Sequence, residues 1–179
     1  MASLLLHVCC AHCGAFPIQH WQGEGYSVVP FWYNPNIHPY LEHLQRYEAV
    51  CALAASRGLE LVSVEGYDFA AYFRAVVNRE EDRCRWCFQL RLRRAAAAAR
   101  ERRLDAFTST LLISPQQKHD LIREVADEVA TEAGVPFLYA DLRKHYSDSR
   151  HITKSMGLYR QQYCGCIYSE WDRYGRAPH

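Results

Sequence analysis

The sequence predicts an α/β fold: a single-domain, three-layer arrangement with a mostly parallel sheet between helices. Three observations predict it. Short runs rich in β-branched and aromatic residues alternate with helical stretches of about 10–18 residues, the rhythm of right-handed β–α–β units. The 179 residues suit one domain and are enough to bury a core. Apolar residues make up 49% and charged residues 23% of the chain, a balance that excludes disorder, collagen and coiled coil.

Residues 4–8 (LLLHV) form the first apolar run and end at Cys9 and Cys10. Residues 16–22 follow as helix, closed by Gly23 and Gly25. Residues 26–33 (YSVVPFWY) are a second strand that Asn34-Pro35-Asn36 breaks, with Pro30 removing one ladder donor. Residues 39–57 place Leu41, Leu44, Ala49, Leu53 and Ala54 near one helix face, and Gly58 stands where a C-cap belongs. A third strand over 59–64 and a short helix over 67–77 come next. Five consecutive alanines anchor a helix over 87–103. A fourth strand (106–110), a long amphipathic helix (116–133) closed by Gly134, a fifth strand (135–139) and a last helix (149–157) complete the pattern. No repeat or linker interrupts residues 1–179, so one domain is expected throughout.

Net charge is +1, so no overall field draws the chain to nucleic acid or membrane. No apolar run approaches the ~20 residues that span a bilayer. The start, MASLLLHVCC, lacks a basic leader and His7 interrupts its short apolar stretch, so a cytoplasmic location is expected. There is no glycine-rich nucleotide loop, and ATP use has no support.

Seven of the eight cysteines fall in three tight groups: Cys9, Cys10 and Cys13; Cys84 and Cys87; Cys164 and Cys166. A secreted disulfide scaffold would spread them to close many loops, whereas clusters in a reducing compartment bind metal or do redox chemistry. Seven thiols overshoot one tetrahedral zinc and lack the paired spacing of two zinc ribbons. An iron–sulfur cluster with ligands to spare fits better, zinc remaining the alternative.

Ligands of parallel sheets sit beyond the carboxyl ends of the strands, where Cys9, Cys10 and Cys13 follow strand one. Asn34 and Asn36 follow strand two, and Ser109 ends strand four. The adjacent Cys9 and Cys10 thiols are expected to diverge, one serving each of two neighbouring sites. Cys84 and Cys87 can face one metal as the chain enters a helix, or form a thioredoxin-like redox pair. Cys164-Gly165-Cys166 is too tight for a relaxed disulfide, and Gly165 lets the backbone pass close to a cofactor. Cys51, within a helix, is expected in the core. Eight arginines between Arg83 and Arg103 form either a solvated face or a phosphate-tracking surface that Arg150 and Arg160 extend. His12 is a proton donor, an iron ligand or a plain polar contact. Tyr159, Tyr163 and Tyr168 stack on a base or pack.

The segments LLLHVCCAHC, FWYNPNIHP, RCRWCFQLRL, TSTLLISPQ and GLYRQQYCGCIYS, spread over about residues 4–169, resemble the QueH-type epoxyqueuosine reductases. His12 stands where that family usually has proline. The resemblance implies a fold similar to the adenine-nucleotide α-hydrolase (HUP-like) group, with the cysteine-rich metal site at the carboxyl ends of the strands. It implies the last step of queuosine biosynthesis in tRNA, removal of the epoxide oxygen, using a [4Fe-4S] cluster beside one additional iron. Cys9, Cys10, Cys13, Cys84, Cys87, Cys164 and Cys166 carry over as ligands. Cys10, Cys84, Cys87 and one of the final pair, Cys164, are expected on the cluster, and the rest on the second iron. His12 or Tyr163 would supply a proton. Asn34, Asn36, Ser109, Ser114 and Gln116 would orient the base, while Arg91, Arg94 and Arg160 would meet the tRNA. An external ferredoxin or flavodoxin would supply electrons. The rivals are a zinc-bound, non-catalytic RNA-binding module and a metal-free thiol redox enzyme.

Overall fold

Three buried leucines, Leu4, Leu5 and Leu6, make β1 (Ser3–His7) the centre of the sheet. A computed structural model describes residues 1–175. β2 (Ser27–Trp32) and β4 (Ala106–Ser109) flank β1 in parallel, and the two-residue β3 (Val62–Ser63) lies outside β2, giving the order β3-β2-β1-β4. Leu5 stands in register with Val29 on one side and Phe107 on the other. Alternation then sends Leu5, Phe31 and Phe107 to one face, and Leu4, Leu6 and Val28 to the other.

The helices follow that division. α4 (Arg83–Glu101) and α5 (His119–Ala133) cover the first face through Phe88, Leu92, Ala95, Ala99, Ile122, Val125 and Val129. α1 (Ala11–Gly23) and α2 (Tyr40–Ser56) cover the second through Ala11, Ala15, Ile18, Val50 and Leu53. α3 (Phe69–Val76) packs on α4, and α6 (Tyr146–Ser155) on α1. Three layers result, as the alternation predicts.

Pro30 is tolerated for a definite reason. Phe31 accepts from Val8 and so faces β1, whereas Trp32 accepts from Val64 and faces β3. The missing Pro30 donor therefore points to the β3 side, at a level where β3 has not yet begun.

Four expectations are corrected. The third strand shrinks from 59–64 to Val62–Ser63. The fifth, expected over 135–139, is a single parallel bridge, Phe107 with Phe137. Pro136 has no donor, and the Leu138 carbonyl is taken by the Thr108 hydroxyl at 2.7 Å, so the ladder cannot continue. α1, α4 and α6 begin five, four and three residues earlier than expected, which puts Cys13 and Cys84 on first helical turns and Cys87 on the second turn of α4. An unforeseen helix, α7 (Ile167–Tyr174), follows the last cysteines.

The chain leaves β1 through α1 to β2, then returns from β3 through α3 and α4 to β4, on β1's other side. The order reverses between β1 and β4, and a crevice opens at their carboxyl ends.

Candidate metal centre and its cleft

The cysteines at that crevice are positioned by helix starts. Cys10 is the N-cap of α1, in extended conformation, and its sulfur accepts from the Cys13 N–H at 3.2 Å. That contact folds the thiols of residues i and i+3 together. The sulfurs of Cys9, Cys10 and Cys13 all lie within 4.8 Å of one another, those of Cys9 and Cys10 at 4.0 Å. The adjacent thiols thus converge, and their expected divergence is corrected.

Thr110, at the end of β4, holds Cys9 from across the crevice. Its hydroxyl donates to the Cys9 sulfur at 3.3 Å and accepts the Cys9 N–H at 3.1 Å. Hydrogen bonds from the Cys10 and Cys13 thiols, with Thr110, lower the Cys9 pKa well below the usual thiol range. Burial raises that of Cys10, and thiol–thiol hydrogen bonding followed by burial raises that of Cys13. Within the trio, negative charge is therefore favoured on Cys9 over Cys10 and Cys13.

The other four cysteines gather on the α4 side. Cys84 and Cys87 are three apart at the start of α4, hence on one face. Cys166 is the N-cap of α7, its sulfur accepting from the Ser169 N–H at 3.4 Å, and Gln117 donates to the Cys164 sulfur at 3.2 Å. Burial pushes the Cys87 thiol up to about 12, and repulsion from Cys164, Cys166 and Cys84 adds to it, so all four feel one another. Gly165 adopts φ +150°, and a Cβ there would meet Ile37 at 3.1 Å and Asn36 at 3.3 Å. The two cysteines flank a backbone pass that only glycine fits.

Two buried arginines lie against these thiols. Arg46, 1% exposed, pairs with Glu42 at 2.7 Å and donates to the carbonyls of Cys164 (2.8 Å) and Tyr163 (3.0 Å). Arg91, also 1% exposed, donates only to the Cys87 carbonyl at 3.3 Å, and its Nη2 has no partner among the described residues. Its charge acts on Cys87, Cys164 and Cys9. A buried guanidinium without an anion is costly, and thiolates are the anions at hand. This donor set of seven thiols, with an orphaned buried cation beside it, fits a net-negative metal–thiolate group.

An open cleft of about 770 Å³ exposes part of this site, lined by Cys9, Cys13, Cys164, Thr110, Tyr146 and Tyr163 among others. Ser114, Gln116 and Arg160 line it, as their expected substrate roles require. Asn34, Asn36 and Ser109 do not. Asn34 donates to the Val8 carbonyl at 2.9 Å, and Ser109 bonds Nδ1 of His7 at 2.9 Å, so both brace strand ends; Asn36 is buried, its Oδ1 without a partner among the described residues.

His12 sits outside the cleft lining, buried against Thr153 at 3.3 Å and edge-on to Tyr146. Burial, then Arg160 and Arg150, lower its pKa to about 4, so it is neutral. Tyr163 donates to the His38 carbonyl, and burial raises its pKa. Cys51 is half-buried on α2, outside the core clusters.

The arginine run is mostly spoken for. Arg85 pairs with Glu124 and Glu128, Arg93 with Glu132, Arg94 with Glu101 and Arg83 with Asp172. Burial removes Arg91 from any surface contact with tRNA, a correction to its expected role. Its spacing from Phe88, Ala95 and Ala98 is the buried stripe of α4, a signal that marks it as interior. Arg46, Tyr146 and Gln117 were not foreseen; each comes from a different element, with no motif around it.

The family model described as epoxyqueuosine reductase QueH matches residues 4–172. A relative from Dehalococcoides mccartyi bearing that name is 53% identical over 173 residues, covering 97% of this chain and 95% of its own. One from Thermotoga maritima with the same name is 33% identical over 184 residues, covering 97% and 93%. A solved structure of a "predicted subunit of tRNA methyltransferase" from Methanocaldococcus jannaschii aligns with TM-score 0.55 at 10% identity, over 87% of this chain and 76% of its own. That likeness concerns the fold alone.

Proposed function

The chain belongs to the epoxyqueuosine reductase QueH family of oxidoreductases, and on that premise we propose that it removes the epoxide oxygen of epoxyqueuosine in tRNA by an iron-dependent reduction. One observation carries the iron: the buried sulfurs of Cys9, Cys10 and Cys13 converge at the switch point of the sheet beside an open cleft, with the other four thiols and the buried Arg91, whose Nη2 has no partner among the described residues, close by.

Taking the oxygen off as water and leaving the alkene consumes two electrons and two protons. Cys84, Cys87, Cys164 and Cys166 would hold a [4Fe-4S] cluster, and Cys9, Cys10 and Cys13 one additional iron; their grouping supports this division over the one expected from sequence. Bound there, they supply single electrons and a Lewis acid for the epoxide oxygen. Ser114 and Gln116 would hydrogen-bond the modified base at the cleft wall. Tyr146, which lines the cleft and whose pKa is raised by burial and then by Cys13 and Cys10, is our proton donor. Such a phenol keeps its proton near neutral pH until negative charge develops on the departing oxygen. Tyr163 is tied to a carbonyl and His12 is neutral outside the cleft, so neither takes that role in our reading. The electron donor is an external ferredoxin or flavodoxin type protein, and the location is cytoplasmic, with tRNA. No described helix is long and apolar enough to cross a membrane.

The test is iron and sulfide analysis of protein purified without oxygen, followed by single-turnover reduction of epoxyqueuosine-tRNA with dithionite. About five irons and four sulfides per chain, with alkene formed, are expected. Zinc without sulfide, in protein that iron and sulfide cannot reconstitute, would overturn the reading in favour of the RNA-binding module. In the same assay Tyr146→Phe is expected to slow conversion about tenfold or more with iron content unchanged. An unaltered rate would remove Tyr146 from the proton path.

A further inference from the structure

A second cavity, of about 540 Å³, adjoins the cysteine cleft along α6, and Arg160 lines both. Its wall carries Arg150, His151 and Lys154 from α6, with Arg160 from the following loop. Among the described residues no carboxylate lies within ion-pair distance of Arg150, Lys154 or Arg160. This contrasts with α4, where Arg83, Arg85, Arg93 and Arg94 are all paired.

Arg150 and Lys154 are one helical turn apart, so they share a face and repel one another. A cavity that keeps three cations without a counter-charge is arranged for anions from outside. Its volume exceeds what a lone phosphate fills and falls in the range of about 300–1,000 Å³ that holds nucleotide-sized ligands. Gly157 and Leu158 add an uncharged wall suited to a sugar. At the inner end lies His12, whose Nε2 has no partner among the described residues.

We propose that this cavity seats the RNA backbone next to the modified nucleoside, with phosphates on Arg150, Lys154 and Arg160. The inference rests on the reductase reading, since it is the neighbouring cysteine cleft that receives the base. RNA, and not a free anion, is favoured because Arg160 joins the two cavities into one path.

The experiment compares metal-loaded protein with its Arg150→Gln, Lys154→Gln double variant, both exposed positions, in binding an epoxyqueuosine-containing anticodon stem-loop across a salt series. A variant with Arg100→Gln and Arg102→Gln, at the far end of α4, is the charge-matched control. The α6 variant is expected to bind about tenfold more weakly, with a log–log salt slope smaller by about two, and with iron content and spectrum unchanged. The control is expected to behave as the unaltered protein. Equal affinity and slope in the α6 variant would overturn the inference alone, as would equal losses in the control. Failure of the unaltered protein to bind the RNA would overturn the reductase reading together with it. Competition by millimolar inorganic phosphate as effective as by RNA would assign the cavity to a free anion and overturn it too.

Discussion

Arg91 shows how much a single residue can decide. Its guanidinium is buried, shares α4 with five other arginines, and differs from Arg83, Arg85, Arg93 and Arg94 in having thiols in place of carboxylates around it. Reduction adds negative charge at those thiols, and a buried cation favours the reduced state. Arg91→Met is therefore expected to lower the midpoint potential of the iron-loaded protein by tens of millivolts, on the order of what Coulomb's law gives at an effective dielectric near 20. Arg93→Met, exposed and paired with Glu132, is expected to leave the potential unchanged. An anaerobic redox titration followed by absorbance distinguishes them; equal potentials would mean that Arg91 does not act on the metal.

At the scale of elements, the candidate metal site is a matter of helix starts. Cys10 caps α1, Cys166 caps α7, and Cys84 and Cys87 lie within the first five residues of α4. The backbone N–H groups of Cys13 and Ser169 thus point at the Cys10 and Cys166 sulfurs, as donors to metal-bound sulfur would. The three-residue spacings were legible as ligand pairs, because i and i+3 share a helix face. α7 was not legible, since it is only eight residues long and its cap is a cysteine in place of Ser, Thr or Asp. Gly165, between the last two cysteines, packs against the core at Ile37 and Asn36. Gly165→Ala forces a Cβ against Ile37 and Asn36 in a backbone region that side chains rarely adopt, at a cost of roughly 1–3 kcal/mol. Relative to the unaltered protein, the variant is expected to retain less than half of its iron while unfolding in denaturant at a lower midpoint. Full iron content would show that the loop can shift without moving Cys164 and Cys166.

For the whole molecule, acid is the informative stress. Burial, followed by the charge of Arg91 for His7 and of Arg46 for His43, lowers both imidazoles from 6.5 to about 4. His7 ties the sheet together, bonding Ser109 of β4 at 2.9 Å and the carbonyl of Tyr33 beyond β2 at 3.2 Å. His43 accepts the indole N–H of Trp32 at 3.3 Å and so fixes α2 on β2. Because the folded pKa values are depressed, the unfolded chain takes up protons first on acidification. Stability is full above about pH 6.5, falls through the window down to about 4, and loses nothing further from these groups below it. Each shift corresponds to at most about 3 kcal/mol. Denaturant unfolding of iron-free protein at pH 7.5 and 4.5 is expected to show this drop, and a smaller one for His43→Gln. Equal drops in the two proteins would mean that His43 is not held neutral.

The alternation of strands and helices, the order of the three cysteine groups and the family motifs were all present in the sequence, because periodicity and short spacings are local properties. The C-C-x-x-C group could be assigned to the end of β1 on the same grounds, since a parallel sheet opens its crevice there. Only the tertiary structure decided that the Cys9, Cys10 and Cys13 sulfurs converge, that Arg46 and Arg91 are interior, and that Asn34 and Ser109 brace strands outside the cleft. It also separated Arg83, Arg85 and Arg93 of α4, tied to carboxylates of α5 and α7, from Arg150 and Arg160, which have no carboxylate partner among the described residues. These outcomes depend on residues more than a hundred positions apart meeting at one sheet edge, as Cys9 meets Thr110 and Arg46 meets Cys164. Burial and charge pairing are properties of such meetings, and no window along the chain contains them.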